Sequence, residues 1–337
     1  MPKPLALLDA TLDLTGESIE TIPSRIAQGC TPVLFSASKQ SEKRFWEFFT
    51  ATIRNPNTRL AYLTACYRFA DWCEANGLSL SRLEPMVVAA YVELLSQHYA
   101  PASVKQHLAA IRRLFDWLVI GQIIAFNPAS SVRGPKHSVK VGKTPVLSAA
   151  ETRELLDGID TDNLVGLRDR ALMGLMVYSF ARISAALGMT VADYYTQGKR
   201  SFFRLHEKGG KYHVVPTHHV AQDYMDAYIA AAGIGEDRKG PLFRTSGPGR
   251  QRASLQRCVL NRHAAIKMIK RRCRAVSLPS EISAHSLRGT GITEYLRNGG
   301  ELEIAARIAG HESTRTTQLY NRTDDTLSLD EIERIHI

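Results

Sequence analysis

A chain of 337 residues has room for two domains, each burying its own core. With 44% hydrophobic and 23% charged residues it matches neither a disordered nor a fibrous composition. A net charge of +10 favours an anionic partner, and nucleic acid is the commonest one for a protein of this size. The longest apolar run, around Leu172 to Val177, is far short of a membrane span, and the start, MPKPLALLDATLDLTG, lacks the features of a signal peptide. Five scattered cysteines (Cys30, Cys66, Cys73, Cys258, Cys273) with no C-x-x-C pair indicate neither a disulfide framework nor a zinc site, so a cytoplasmic location is expected.

Residues 1 to 40 mix prolines, small polar residues and short apolar patches, and read as a leader or arm. Helical patterning starts at Ser41: Phe45, Phe48, Phe49 and Ile53 recur at helical spacing. A second helix is expected after Asn57 as N-cap, with Leu60, Leu63, Tyr67 and Ala70 as its inner stripe and Gly77 as its end. Pro85 opens a third helix, through about His98. Pro101 opens a fourth that buries Val104, Leu108, Ile111, Phe115 and Leu118 and stops at Gly121. Lys105, Arg112 and Arg113 lie off that stripe, as either a phosphate-contacting face or an ordinary solvated one. The stretch GPKHSVKVGKTP has Lys136, Lys140, Lys143 and His137 but no apolar period, and reads as a basic linker.

A capping box, Ser148 with Glu151, marks the start of a second domain. Residues 164 to 180, LVGLRDRALMGLMVYSF, are apolar enough for a central buried helix, and Arg182 follows just beyond it. SFFRLHEKGGKYHVVP alternates on both sides of Lys208-Gly209-Gly210-Lys211, a β-hairpin signal. Helical patterns then return, interrupted by the loop GPLFRTSGPGRQR.

Residues 284 to 322 concentrate the chemistry. They hold His285 and Arg288 as His-x-x-Arg, the step Gly310-His311, and Tyr320 nine residues later. A guanidinium forks onto phosphate oxygens, an imidazole donates or moves a proton, and a phenolate is a covalent nucleophile. Each residue alone fits a duller role, as a half-buried aromatic, a structural histidine or a solvated turn. Their order is harder to dismiss: Arg182 in ARIS, Lys208 in EKGGKYHVVP, HSLRGTGIT, then AGHESTRTTQLY. That order resembles the tyrosine recombinase family of phage-type integrases and Xer-like recombinases, over about residues 41 to 337.

The resemblance implies a mainly α fold with a small β-hairpin sheet. It implies a helical, SAM-like core-binding domain at 41–133, a basic linker at 134–147, a mixed α/β catalytic domain at 148–325 and a tail at 326–337 that docks on a neighbouring protomer. It also implies a site-specific DNA recombinase acting on double-stranded DNA as a tetramer on paired sites, a scheme that can include accessory DNA-bending proteins, with neither metal nor nucleotide cofactor. Tyr320 becomes the nucleophile that forms a 3′-phosphotyrosyl bond, Arg182 and Arg288 the phosphate clamp, and Lys208 the general acid. His285 assists proton transfer at the tyrosine and His311 donates to the phosphate. Lys208 is chosen over Lys211 by the family's Gly-Lys-Gly pattern, although Glu207 replaces its first glycine. A second departure is Ala185, where an acidic residue commonly follows the first arginine by three, so either another residue orients the site or the site is assembled only with DNA and partner protomers. Gly289 stands where many members have histidine. Two competing readings are a type IB topoisomerase and a DNA-binding protein with a weakened site.

Overall fold

The computed structural model describes residues 18–136, 142–207, 212–247 and 254–321. The chain divides into two units, Met1–Ser138 and Val139–Ile337, each with its own hydrophobic core.

In the first unit, α1 (Ser18–Ala27) and a short 3-10 turn send Ile22, Leu34 and Phe35 into the helical core, so this part of the expected leader is packed. Helix α2 (Lys39–Glu47), capped by Ser38, runs into a π turn, Phe48–Thr52, that keeps Phe45, Phe48 and Phe49 inward. Helix α3 (Pro56–Ala75) starts two residues earlier than the sequence suggests. Asn55, not Asn57, is its cap and accepts from the backbone N–H groups of Asn57 and Thr58. Pro56 explains the shift, because proline at the first helical position gives up an N–H that would have no partner there. Leu63, Tyr67 and Ala70 are buried as expected, whereas Leu60 is 51% exposed and belongs to the outer face. Helices α4 (Pro85–His98) and α5 (Pro101–Ile120) begin at their prolines, and all five residues of the expected α5 stripe are buried.

In the second unit, the capping box at Ser148 starts α6 (Ala149–Asp157). Helix α7 (Leu164–Tyr178) is buried nearly all round, as its composition demands. Its Arg168 and Asp169 are tolerated there because the carboxylate also meets Arg272, at 2.8 Å. Arg182 is the N-cap of a short α8 (Ile183–Leu187). Three antiparallel strands follow in the order β1 (Tyr194–Gln197), β2 (Arg200–His206) and β3 (Tyr212–Pro216). The hairpin of β2 and β3 is the expected one; β1 adds an edge that four residues are too few to announce. Helix α9 (His219–Ala232) leads to a second pair: β4 (Arg244–Ser246), inside the stretch expected to be a loop, with β5 (Leu255–Val259), just beyond it where helical patterning is expected. Helices α10 (Arg262–Ala275), α11 (Ala284–Arg297), α12 (Leu302–Ile308) and α13 (Thr314–Gln318) complete the unit.

Helix α11 carries the site and is set hard against the end of α7. A Cβ on Gly291 would lie 1.9 Å from the carbonyl oxygen of Val177, so only glycine permits this approach. Among the described residues no helix is long and apolar enough to cross a membrane.

Candidate active site

His285 and Arg288 are three residues apart on α11, so they share one face of it. Arg288 is only 1% exposed, which demands partners for its charge. One guanidinium nitrogen donates to the carbonyl of Phe180, just past the end of α7. The other donates at 2.7 Å to the carbonyl of Ala309, at the end of α12. Arg288 therefore fastens three helices at the point where they meet.

The same nitrogen stands 2.6 Å from Nε2 of His311. A guanidinium can only donate, so Nε2 accepts and the imidazole proton sits on Nδ1. Nδ1 then donates to the hydroxyl of the buried Thr317, at 2.8 Å. The turn at Gly310, with φ of +58°, closes α12 and aims His311 at this place.

Tyr320 packs nearly parallel to the His311 ring, at 11° with 6.2 Å between centroids, and is 5% exposed. Its Oη is 2.8 Å from Nε2 of His285. Its backbone carbonyl accepts from the Thr293 hydroxyl at 3.1 Å, which fixes the main chain of the short α13 segment on α11. The ring lies over Gly289: a Cβ there would be 3.0 Å from Cε1 of Tyr320 and 3.2 Å from Val146. A glycine at 289 thus makes room for the tyrosine ring on the helix that carries both His285 and Arg288.

Arg182 reaches the site from the start of α8. Its guanidinium bonds the carboxylate of Glu207 at 2.5 Å, with the arginine side chain 42% exposed and the glutamate 10%.

The three cationic or ionisable groups on the Tyr320 side are all held toward lower proton affinity. Burial, and then the charge of Arg182, bring the Arg288 pKa down to about 10, so it remains charged at neutral pH. Burial, followed by the charges of Arg288 and Arg182, lowers His311 to about 4. The enclosed side of His285 and the same two arginines hold its pKa below the usual histidine value. Both imidazoles are neutral at pH 7, and a neutral His285 against the Tyr320 hydroxyl is a proton acceptor in contact with a potential nucleophile.

Five of the six residues singled out from the sequence, Arg182, His285, Arg288, His311 and Tyr320, fall within this network of contacts and charges. Lys208, with Lys211, lies outside the described residues. Of the three residues on α5, Lys105 and Arg113 are exposed, while Arg112 is half-buried and spends its guanidinium on the carbonyls of Ala129 and Val132, at 3.1 and 2.7 Å. Sequence reasoning missed Thr317, Thr293 and the contact between Arg182 and Glu207. Only the last left a trace, an acidic residue in a position where the motif calls for glycine. Among the described residues no group of three His, Cys, Asp or Glu side chains could hold a metal ion.

Comparison with known proteins agrees with the geometry. The profile described as "Phage integrase family" matches residues 145–326. The chain belongs to the phage integrase family. A second profile, the phage integrase N-terminal SAM-like domain, matches residues 43–121, within the helical unit. Among curated relatives, tyrosine recombinase XerD of Corynebacterium glutamicum is 29% identical over 286 residues, covering 80% of this chain and 89% of that protein. Tyrosine recombinase XerC of Myxococcus xanthus is 28% identical over 271 residues, covering 80% and 87%. The fold of this phage integrase family member also resembles that of XerH site-specific recombinase bound to a palindromic difH substrate, with a TM-score of 0.64, 17% identity and coverage of 98% of this chain and 92% of that one. A lambda integrase dimer bound to a COC′ core site gives 0.63 at 18% identity, covering 85% and 97%.

Proposed function

We propose that this protein is a site-specific DNA recombinase that breaks and rejoins strands through a covalent bond between Tyr320 and a DNA 3′-phosphate. The observation that carries the proposal is the 2.8 Å contact between the Tyr320 hydroxyl and a neutral His285, on a helix whose Arg288 is already buried and fixed.

The residues divide the work by charge. His285 takes the proton from the Tyr320 hydroxyl as its oxygen attacks phosphorus. Arg288 and Arg182 face the nonbridging oxygens, where negative charge grows as phosphorus becomes five-coordinate. Lys208 protonates the departing 5′-oxygen. His311, its Nε2 held against Arg288, keeps that guanidinium oriented, and it donates to the phosphate in its other tautomer, with the proton on Nε2 and Nδ1 accepting from the Thr317 hydroxyl. One phosphoester bond forms as one breaks, so the intermediate keeps the bond energy and the 5′-hydroxyl of a partner strand reverses the step. The chemistry consumes no nucleotide.

Under this reading residues 41–133 bind the core of the DNA site, with Lys105 and Arg113 on the backbone. Four protomers act on two sites, and the acidic tail at 326–337 docks on a neighbour. Curated relatives bearing the tyrosine recombinase name, and DNA-bound recombinases of the same fold, support it.

The test begins with recovery of covalent protein-DNA junctions from cells expressing the protein. A duplex of the recovered sequence, nicked so that the cut strand diffuses away, then serves as substrate. Wild type accumulates a denaturation-resistant adduct and Tyr320→Phe accumulates none. Absence of adduct with wild type, or an undiminished one with Tyr320→Phe, overturns the proposal.

A further inference from the structure

We propose that Glu207 is a positioning residue for the phosphate clamp: its carboxylate orients Arg182, the task that Ala185 leaves unfilled. The inference rests on the recombinase reading above.

Arg182 begins α8, and one turn further on Ala185 is buried with only a methyl group to offer. Among the described residues the carboxylate paired with Arg182 is that of Glu207, 25 positions later in the chain and 2.5 Å away. A glutamate just past the end of a strand ordinarily points into water. This one folds back: its side chain is 10% exposed, and its second oxygen, Oε1, is buried with no donor among the described residues. Leaving a carboxylate oxygen buried without a donor is unfavourable, so the pairing with Arg182 holds the side chain in place against a cost.

Position in the hairpin makes the pairing dependable. His206 ends β2 and is in register with Tyr212 on β3, so the backbone at residue 207 leaves a paired strand. Glu207 thus reaches Arg182 from a fixed base rather than from a loose loop. Arginine has five N–H donors, and this contact uses one nitrogen, NH1. The remaining donors and the 42% exposed surface are available for phosphate oxygens. The carboxylate therefore restrains the guanidinium without occupying it. Its charge is also felt at Arg288, where it opposes the effect of Arg182.

The experiment measures single-turnover adduct formation on the nicked duplex, with DNA affinity by titration and thermal melting as parallel readouts. Glu207→Gln keeps the shape and removes the charge. It is expected to slow adduct formation roughly 10- to 100-fold, the scale on which a small misplacement of a reacting group acts. DNA affinity stays within about twofold, since the remaining phosphate contacts are untouched. In an Arg182→Gln background the Glu207→Gln change has no further effect, because the two residues act as one unit. The defect also persists on a duplex with sulfur in place of the 5′-bridging oxygen, whose leaving group needs no proton.

A Glu207→Gln rate equal to or faster than wild type overturns the inference. So does a rate loss matched by a collapse in melting temperature, which would make Glu207 merely structural. Additivity with Arg182→Gln, or full recovery on the sulfur substrate, assigns the effect to a group other than Arg182 and overturns it as well. If wild type itself forms no adduct, it is the recombinase reading that fails.

Discussion

Arg288 and Arg182 carry the same group into one site, yet the protein holds them in opposite ways. Arg288 is sealed in, with the carbonyls of Phe180 and Ala309 and the ring of His311 taking up three of its five N–H donors. Arg182 stands at the surface of the site, steadied by a single carboxylate. The difference separates two demands that catalysis places on a cation. One arginine belongs to the architecture and cannot be moved without loosening the ends of α7 and α12. The other stands on the open side of the site, where under the proposed function its remaining donors meet the phosphate.

The comparison breaks most visibly in stability. Arg288→Ala strands two buried carbonyl oxygens, at a cost of about 3 kcal/mol. For a unit of this size that lowers the melting temperature by roughly 6 to 12 °C, and adduct formation falls about a thousandfold or more with the loss of transition-state charge stabilisation. Arg182→Gln produces a rate loss on the order of a hundredfold while melting shifts by no more than roughly 2 °C, as solvent-screened pairs contribute little. Calorimetry alongside the nicked-duplex assay checks both; equal melting effects would erase the distinction.

Acid sharpens it further. His311 titrates near 4 in the folded protein and near the ordinary histidine value, about 6.5, when unfolded. Between those values the unfolded chain holds the extra proton, so this contribution to stability is complete above about pH 6.5 and drains away as pH falls toward 4. Chemical denaturation followed across that window should show a shallower acid-side loss in His311→Gln. An unchanged slope would mean that burial and the neighbouring arginines do not hold the imidazole neutral.

The smallest expected effects repeat the contrast on α5. Arg113→Ala or Lys105→Ala should weaken DNA binding a few-fold and lower the salt slope by about one, without affecting melting. Arg112→Ala should do the reverse, destabilising the helical unit by about 1 to 2 kcal/mol through the carbonyls it leaves unpaired. Salt-dependent titrations and melts of the three variants decide the matter.

What could be read from the sequence follows from how local each feature is. The capping box at Ser148, the prolines opening α4 and α5, the buried α5 stripe and the β2–β3 hairpin all depend on neighbours within a few residues, and all were legible. Strands β1 and β4 are too short for a period of two to emerge, and β5 is exposed along nearly all its length and so buries no alternating face. Leu60 misled because an apolar residue at helical spacing carries no mark of which edge of the stripe faces inward. In the site, the spacing from His285 to Arg288 and the order of Gly310, His311 and Tyr320 announced a common purpose. Thr317 and Thr293 did not, since a hydroxyl acquires meaning only from the partner that the fold brings to it. Glu207 lay between these cases: its charge was conspicuous, but its partner, Arg182, was set by how the hairpin meets α8.

Gly289 turns the same site into an adjustable one. Because a single added methyl group would begin to press on the tyrosine ring, substitution at this position works as a gauge of how far the nucleophile can retreat and still meet its base. A graded series from alanine to serine to valine would move the ring outward, lengthening the contact of the Tyr320 hydroxyl with His285 while removing no charge. Side-chain volume at one turn of one helix thereby becomes a dial on reaction speed, separate from the choice of DNA.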